Sequence, residues 1–298
     1  MNRQYAVLVK RAALSAMLVA SILLIVKVLV WWQTGSVALL ASLVDSLLDL
    51  AASLSSFLIL SYSLQPADEE HSFGHGKAES LAALVQSTFI TGSALFLVLS
   101  GFERFFHPQD LVSPELGIWV SLFAILLTGV LVCYQKWVVK QTGSLAIKAD
   151  SLHYQSDLLM NSTVMLALIL SSLGWPIADA VFGIAIGFYI LYGAARIGYE
   201  AIQSLLDHQL PQQELQRIRA IALSVEQVAG MHQLRTRMSG ATRFIQMHLE
   251  LDDDLLLIEA HSIADRVEEL LIGEFPGSDV LIHQDPKSVV PPSVAKEL

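Results

Sequence analysis

The sequence predicts a multi-pass α-helical membrane domain followed by a small cytoplasmic α+β domain. Three observations carry this expectation. Hydrophobic residues make up 54% of the chain and charged residues only 15%, against about 25% charged in soluble domains. The apolar residues gather into six long runs. The charges divide unevenly, with 10 Lys/Arg and 14 Asp/Glu in residues 1–207 and 8 and 14 in the much shorter stretch 208–298. The expected units are a six-helix transmembrane domain over 1–207 and an acidic regulatory domain over 208–298.

The six runs cover about 12–32, 37–64, 80–104, 116–138, 145–172 and 178–205. A helix needs about 20 apolar residues to cross about 30 Å of hydrocarbon. The first run follows Lys10 and Arg11 and is longer than the apolar region of a signal peptide, so it reads as a retained helix. The short connections at 33–36 and 173–177 make neighbouring helices antiparallel. Arg3, Lys10, Arg11, Lys77, Lys136, Lys140 and Lys148 flank one set of helix ends, and the opposite loops have only Arg104 nearby. That bias puts both termini in the cytoplasm. Lys27 and Arg196 lie in or near spans and read as side chains that snorkel to the interface. Lys148 and Asp150 read as solvated, near the cytoplasmic end of the fifth run.

In the soluble part, Pro211–Val228 reads as an amphipathic helix with Leu215, Ile218, Ile221, Ala222 and Val225 on one face. Met231–Ser239 and Arg243–Leu251 alternate, and Gly240-Ala241-Thr242 supplies a turn between them. Leu256–Ile272 is a second helix and Asp279–His283 a last strand, with a frayed tail from Val289. This order predicts helices on one face of a small sheet.

Chemistry concentrates in an internal echo. Gly35–Asp49 and Gly143–Asp157 align without gaps, offset by 108 residues, as G-S-x-A-x-x-A-x-x-x-[D/H]-x-x-x-D. Asp45 and Asp49 in the first copy, and His153 and Asp157 in the second, are four residues apart and share a helix face. The topology makes the two helices antiparallel, as in an inverted repeat. Asp45 and His153 each lie ten residues in, or roughly 15 Å along a helix, near the membrane midplane. Three carboxylates and an imidazole suffice for a tetrahedral cation site. Ionisable residues at that depth are costly and mark function. Ser42, Ser46 and Ser156 read as helix-packing residues.

Two further groups could bind metal. In the cytoplasmic loop Gln65–Glu79, Asp68, His71 and His75 could converge if the loop folds back; a merely solvated acidic loop is the alternative. His232 and His248 lie in the hairpin strands, His261 in the second helix, and His283 beside Asp285. These could gather on the small sheet. With Cys133 the only cysteine, any site uses nitrogen and oxygen, which suits zinc, ferrous iron, manganese or cobalt. The net charge of −10 argues against nucleic acid as a partner.

The two four-residue motifs, the H-S-F-G-H-G-K-A-E loop and the soluble α+β segment together resemble the cation diffusion facilitator family over nearly the whole chain. The resemblance implies a homodimer in the cell inner membrane that exports zinc, ferrous iron or cadmium in exchange for protons. Asp45, Asp49, His153 and Asp157 match the family's transport site, and Asp68, His71 and His75 its loop site. His232, His248, His261, His283 and Asp285 match a cluster in a metallochaperone-like domain that holds two ions near the dimer interface. Lys77 and Asp207 match an interlocking salt bridge. Metal is then substrate and regulator, not cofactor.

Three rivals remain open at this point. An intramembrane metallohydrolase would need a base beside an open ligand position, and no H-E-x-x-H is present. A metal sensor would bind without flux. A carrier of organic solutes would offer aromatic and amide groups.

Overall fold

The computed structural model describes residues 3–34, 37–106, 115–172 and 177–291. The chain divides into two compact units, Gln4–Ile202 and Gln203–Leu298.

The first unit is helical among its described residues: α1 (Arg3–Thr34), α2 (Val37–Ser63), α3 (Lys77–Phe106), α4 (Glu115–Thr142), α5 (Leu145–Ser172) and α6 (Ala178–Leu205). By length and composition, α1, α2, α3, α4 and α6 can each cross a membrane. α5 falls outside that group because Lys148, Asp150, His153 and Asp157 lower its hydropathy. It is nevertheless packed among the others, against α2, α3 and α4.

Small residues allow the close approach that packing in lipid requires. Ala83, Ala94, Ala149, Ala194 and Ala201 pack with Ile90, Ile190 and Ile197 between α3, α5 and α6. At Gly187 the α3–α6 contact is so tight that an added Cβ would lie 2.5 Å from Val98 Cγ2.

The second copy of the Gly-Ser motif has a local explanation. Gly143 adopts φ +68°, the left-handed conformation that ends helices, and donates its N–H to the Val139 carbonyl at 2.8 Å. Ser144 then caps α5, its Oγ accepting the Ile147 N–H at 3.3 Å. One dipeptide thus stops α4 and starts α5. The first copy, Gly35-Ser36, lies outside the described residues.

The second unit contains α7 (Gln212–Leu223), β1 (Gly230–Ser239), β2 (Thr242–Leu251), α8 (Leu257–Glu274) and β3 (Asp279–Pro286). The sheet order is β1-β2-β3, with β1–β2 antiparallel and β2–β3 parallel. α7 stops before Val228 because Ser224 folds back on the Ile221 carbonyl at 3.1 Å, after the last fully buried position of its stripe, Ala222. The hairpin turn is Gly240-Ala241, with Gly240 at φ +56°, and Thr242 already belongs to β2. β3 runs three residues past His283. Lys287 and Ser288, just before the expected tail, bond to Asp252 at 2.6 Å and Asp253 at 3.1 Å. The last residues of the tail, 292–298, lie outside the described residues.

Alternation along β2 sets the two faces of the sheet. Ile245, Met247, Leu249 and Leu251 enter the core with Leu215 and Ile218 of α7 and Ile263, Val267 and Leu271 of α8. Phe244, Gln246, His248 and Glu250 take the opposite face, because successive side chains in a strand point to opposite sides.

Candidate metal sites in the membrane, the loop and the sheet

In the membrane unit, α2 and α5 bring Asp49, His153 and Asp157 together, with one ligand atom from each within 4.8 Å of the others. His153 Nε2 lies 3.1 Å from Asp49 Oδ1 and 3.7 Å from Asp157 Oδ2. Ligands about 2.0–2.2 Å from a tetrahedral metal are roughly 3.4 Å apart, so these separations bracket that edge. Asp45 lies one turn earlier in α2, and its side chain is outside the described residues. The site opens on a cavity of about 180 Å³ whose lining includes Lys27, Ser46, Asp49, Thr128, Tyr154 and Asp157.

Two expectations fail here. Lys27 does not snorkel; its Nζ turns inward and donates to Ser46 Oγ at 2.6 Å and to the Ser42 carbonyl at 3.2 Å. Asp150 is not solvated but 1% exposed. Its carboxylate accepts from Gln86 Nε2 at 3.0 Å and Gln135 Nε2 at 2.6 Å, joining α3, α4 and α5 one turn before His153. Lys148 is part-buried and ion-paired with Glu200, because α6 packs where water was expected. Sequence reasoning also passed over Tyr154, whose hydroxyl meets Ser53 Oγ at 2.7 Å and donates to the Ala16 carbonyl at 3.1 Å. It ties α1, α2 and α5 together beside the site.

The loop does fold back. Asp68 Oδ1 accepts the N–H groups of Glu70 at 3.0 Å and His71 at 2.6 Å, an Asx-turn that reverses the chain. Gly74, at φ +77°, donates its N–H to the His71 carbonyl at 2.8 Å. His71 Nδ1 then lies 3.4 Å from Asp68 Oδ1, and His75 Nε2 lies 3.3 Å from Asp68 Oδ2. His75 Nδ1–H donates to the Pro66 carbonyl at 3.1 Å, which leaves Nε2 facing Asp68 as the nitrogen a metal would take. The His71 backbone N–H is the main influence holding the Asp68 carboxyl below its ordinary pKa. Lys77 follows directly, at the start of α3.

On the sheet, register does the assembling. His232 is paired with His248 across β1–β2, and His248 with His283 across β2–β3. The three imidazoles form one row on the face away from the helices, with ring centroids 5.0 and 4.7 Å apart. Asp285, two residues past His283, lies on the same face. Its Oδ2 is 2.8 Å from His248 Nδ1 and 3.4 Å from His232 Nε2, and its Oδ1 is 3.1 Å from His283 Nε2. His261 does not join this row; it is exposed on α8, 3.4 Å from Asp265. Asp207 lies 3.4 Å from Arg237 of β1.

Glu250 was missed. It pairs with Asp285 in register, and its Oε1 accepts from His232 Nδ1 at 3.0 Å. That bond leaves His232 Nε2 as the metal-facing nitrogen. Its signal was available: Glu250 is two residues past His248 and therefore on the same strand face. Gly230 lies opposite, and a Cβ there would stand 2.6 Å from Glu250 Oε2.

Comparison with known proteins agrees with this two-part architecture. Residues 13–206 match the cation efflux transmembrane domain. The chain belongs to the cation efflux family. Residues 210–287 match the cytoplasmic domain of cation efflux proteins. A cation-efflux pump FieF from Yersinia enterocolitica is 61% identical over 98% of this chain and 97% of its own length. Proteins of the same name from Shigella boydii and Escherichia coli are 57% identical over the same shares. As a member of the cation efflux family, the chain is a multi-pass membrane transporter of metal cations, and the metallohydrolase reading falls away.

Proposed function

We propose that this protein exports divalent cations, with zinc, ferrous iron and cadmium as the leading candidates, from the cytoplasm in exchange for protons. The observation that carries the reading is the meeting of Asp49, His153 and Asp157 between α2 and α5. Asp45 completes the transport site in this reading. α5, the fifth helix, also crosses the membrane in this reading and brings the spans to six, despite its lower hydropathy, since charged and imidazole groups at membrane depth are the cargo site itself. Proton coupling follows from competition. Ionised carboxylates and neutral imidazole hold metal, and their protonated forms release it.

Asp68, His71 and His75 form a second site in the loop. His232, His248, His283 and Asp285 form the regulatory site in the cytoplasmic domain. The protein works as a homodimer in the inner membrane with both termini cytoplasmic. His261, exposed and apart from its own chain's row, serves as a ligand only if the dimer brings it to metal. Metal at the sheet tightens the dimer and shifts the membrane helices between inward- and outward-facing states, by binding one state better than the other.

Metal flux into proteoliposomes, for a panel of cations under a defined pH gradient, tests the reading. Asp49→Ala should abolish flux of every transported cation. Full flux by Asp49→Ala would sink the site assignment, and flux of the parent chain that ignores the pH gradient would sink the antiport.

A further inference from the structure

We propose that Lys27 is a tethered counter-ion of the membrane site, one that partly neutralises the site's carboxylates when no metal is bound and opposes metal when it arrives. The inference rests on the reading of Asp49, His153 and Asp157 as that site.

Lys27 lies seven residues before the end of α1 at Thr34, inside the apolar run. An ammonium there is expensive unless it serves a purpose or reaches water. Instead of extending to the interface, it spans to α2 and donates to Ser46 Oγ and the Ser42 carbonyl. Ser46 is three residues before Asp49, so the two share one face of α2, a turn apart. The cavity that holds Asp49 and Asp157 is lined by Lys27 as well. Its lining therefore carries a cation from α1 and carboxylates from α2 and α5.

The packing of these helices does not require a charge at this position. Ser46 is almost fully buried, and its hydroxyl could bond a carbonyl of its own helix, as Ser55 does to Ala51. A protonated lysine has no lone pair with which to bind metal. Its effect on the cargo is therefore electrostatic. Without metal, the carboxylates face one another in a low-dielectric setting, and a fixed positive charge a turn away lowers that cost. With a divalent ion bound, the same charge repels it. The consequence is a site that binds metal less tightly than its ligands alone would allow, and releases it faster. Even at a water-like effective dielectric of about 80, the repulsion across about one helical turn is large enough to change the affinity for a divalent ion by about tenfold.

The test measures zinc binding and zinc flux by the full-length chain and its Lys27→Met, Lys27→Gln and Lys27→Arg variants. The binding lost in Asp49→Ala defines the membrane site. Both uncharged variants should bind zinc at that site about tenfold more tightly, with lower maximal flux because release slows. Lys27→Arg keeps the charge and should hold zinc affinity and flux closer to the parent's than either uncharged variant does. Gln retains an N–H donor for Ser46, so Lys27→Gln decides the matter where Met disturbs folding. Zinc affinity in Lys27→Gln that is unchanged or weaker overturns the counter-ion role. A parent chain whose zinc binding is untouched by Asp49→Ala overturns the site beneath it, and the two failures give different data.

Discussion

Removing the Glu250 carboxylate should weaken metal binding at the sheet although Glu250 need not touch the metal. Its Oε1 accepts the Nδ1–H of His232 at 3.0 Å. The two side chains are only 15% and 5% exposed, so little water competes for the bond. The acceptor is a carboxylate, which makes the bond stronger than one between neutral groups. It fixes the ring with Nε2 toward Asp285 and makes that nitrogen a better donor to metal. Losing such a partner costs metal sites about 10–100-fold in affinity, or about 1.4–2.7 kcal/mol. Glu250→Ala should therefore weaken zinc binding at the cluster by that factor. Glu250→Gln, which keeps an acceptor without the charge, should fall between. Gly230→Ala should act in the same direction, because its Cβ would stand 2.6 Å from Oε2 and displace the carboxylate. Calorimetric titration of zinc into the full-length chain, in an Asp49→Ala, Asp68→Ala background, isolates the cluster. Affinity in Glu250→Ala within about twofold of the parent would refute the orienting role.

Two other perturbations follow from the geometry. Asp150→Ala would strand the Nε2 groups of Gln86 and Gln135 in a buried setting; at about 1–3 kcal/mol for each unsatisfied donor, a clear fall in the detergent melting temperature is expected, with Asp150→Asn milder. The Asp68 carboxyl, held below its ordinary pKa chiefly by the His71 N–H, should stay ionised well into the acid range. Its folded value is depressed, so its contribution to the folded loop is present above the ordinary carboxylate pKa and is lost as pH falls through the lowered value. A carboxyl-carbon NMR titration giving an ordinary or raised value for Asp68 would contradict the loop geometry.

The elements were legible because hydropathy runs and strand alternation are local properties. Six apolar runs became six long helices among the described residues, and the two alternating stretches around Gly240 became the hairpin. The loop was half legible. D-x-x-H-x-x-x-H names three possible ligands, but whether they converge depends on the turn made by the Asp68 side chain and Gly74. Lys27, Lys148 and Asp150 were misread for one reason: hydropathy reports that a helix lies in the membrane, not which neighbour each side chain faces. Lys27 found α2, Lys148 found Glu200, and Asp150 found two glutamines.

The sequence alone determined a membrane helical unit ahead of an acidic α+β unit, and the echoed motifs with ligand types at one-turn spacing. Those follow from composition and period, which need no knowledge of what packs on what. Tertiary structure decided which ligands meet. Strand register put His232, His248 and His283 in one row, since a one-residue slip would have sent a histidine to the other face, and the placement of α8 left His261 outside it. Helix packing set His153 against Asp49 and turned Lys27 toward their cavity. These are distances between residues tens of positions apart in the chain, and only the folded chain sets them.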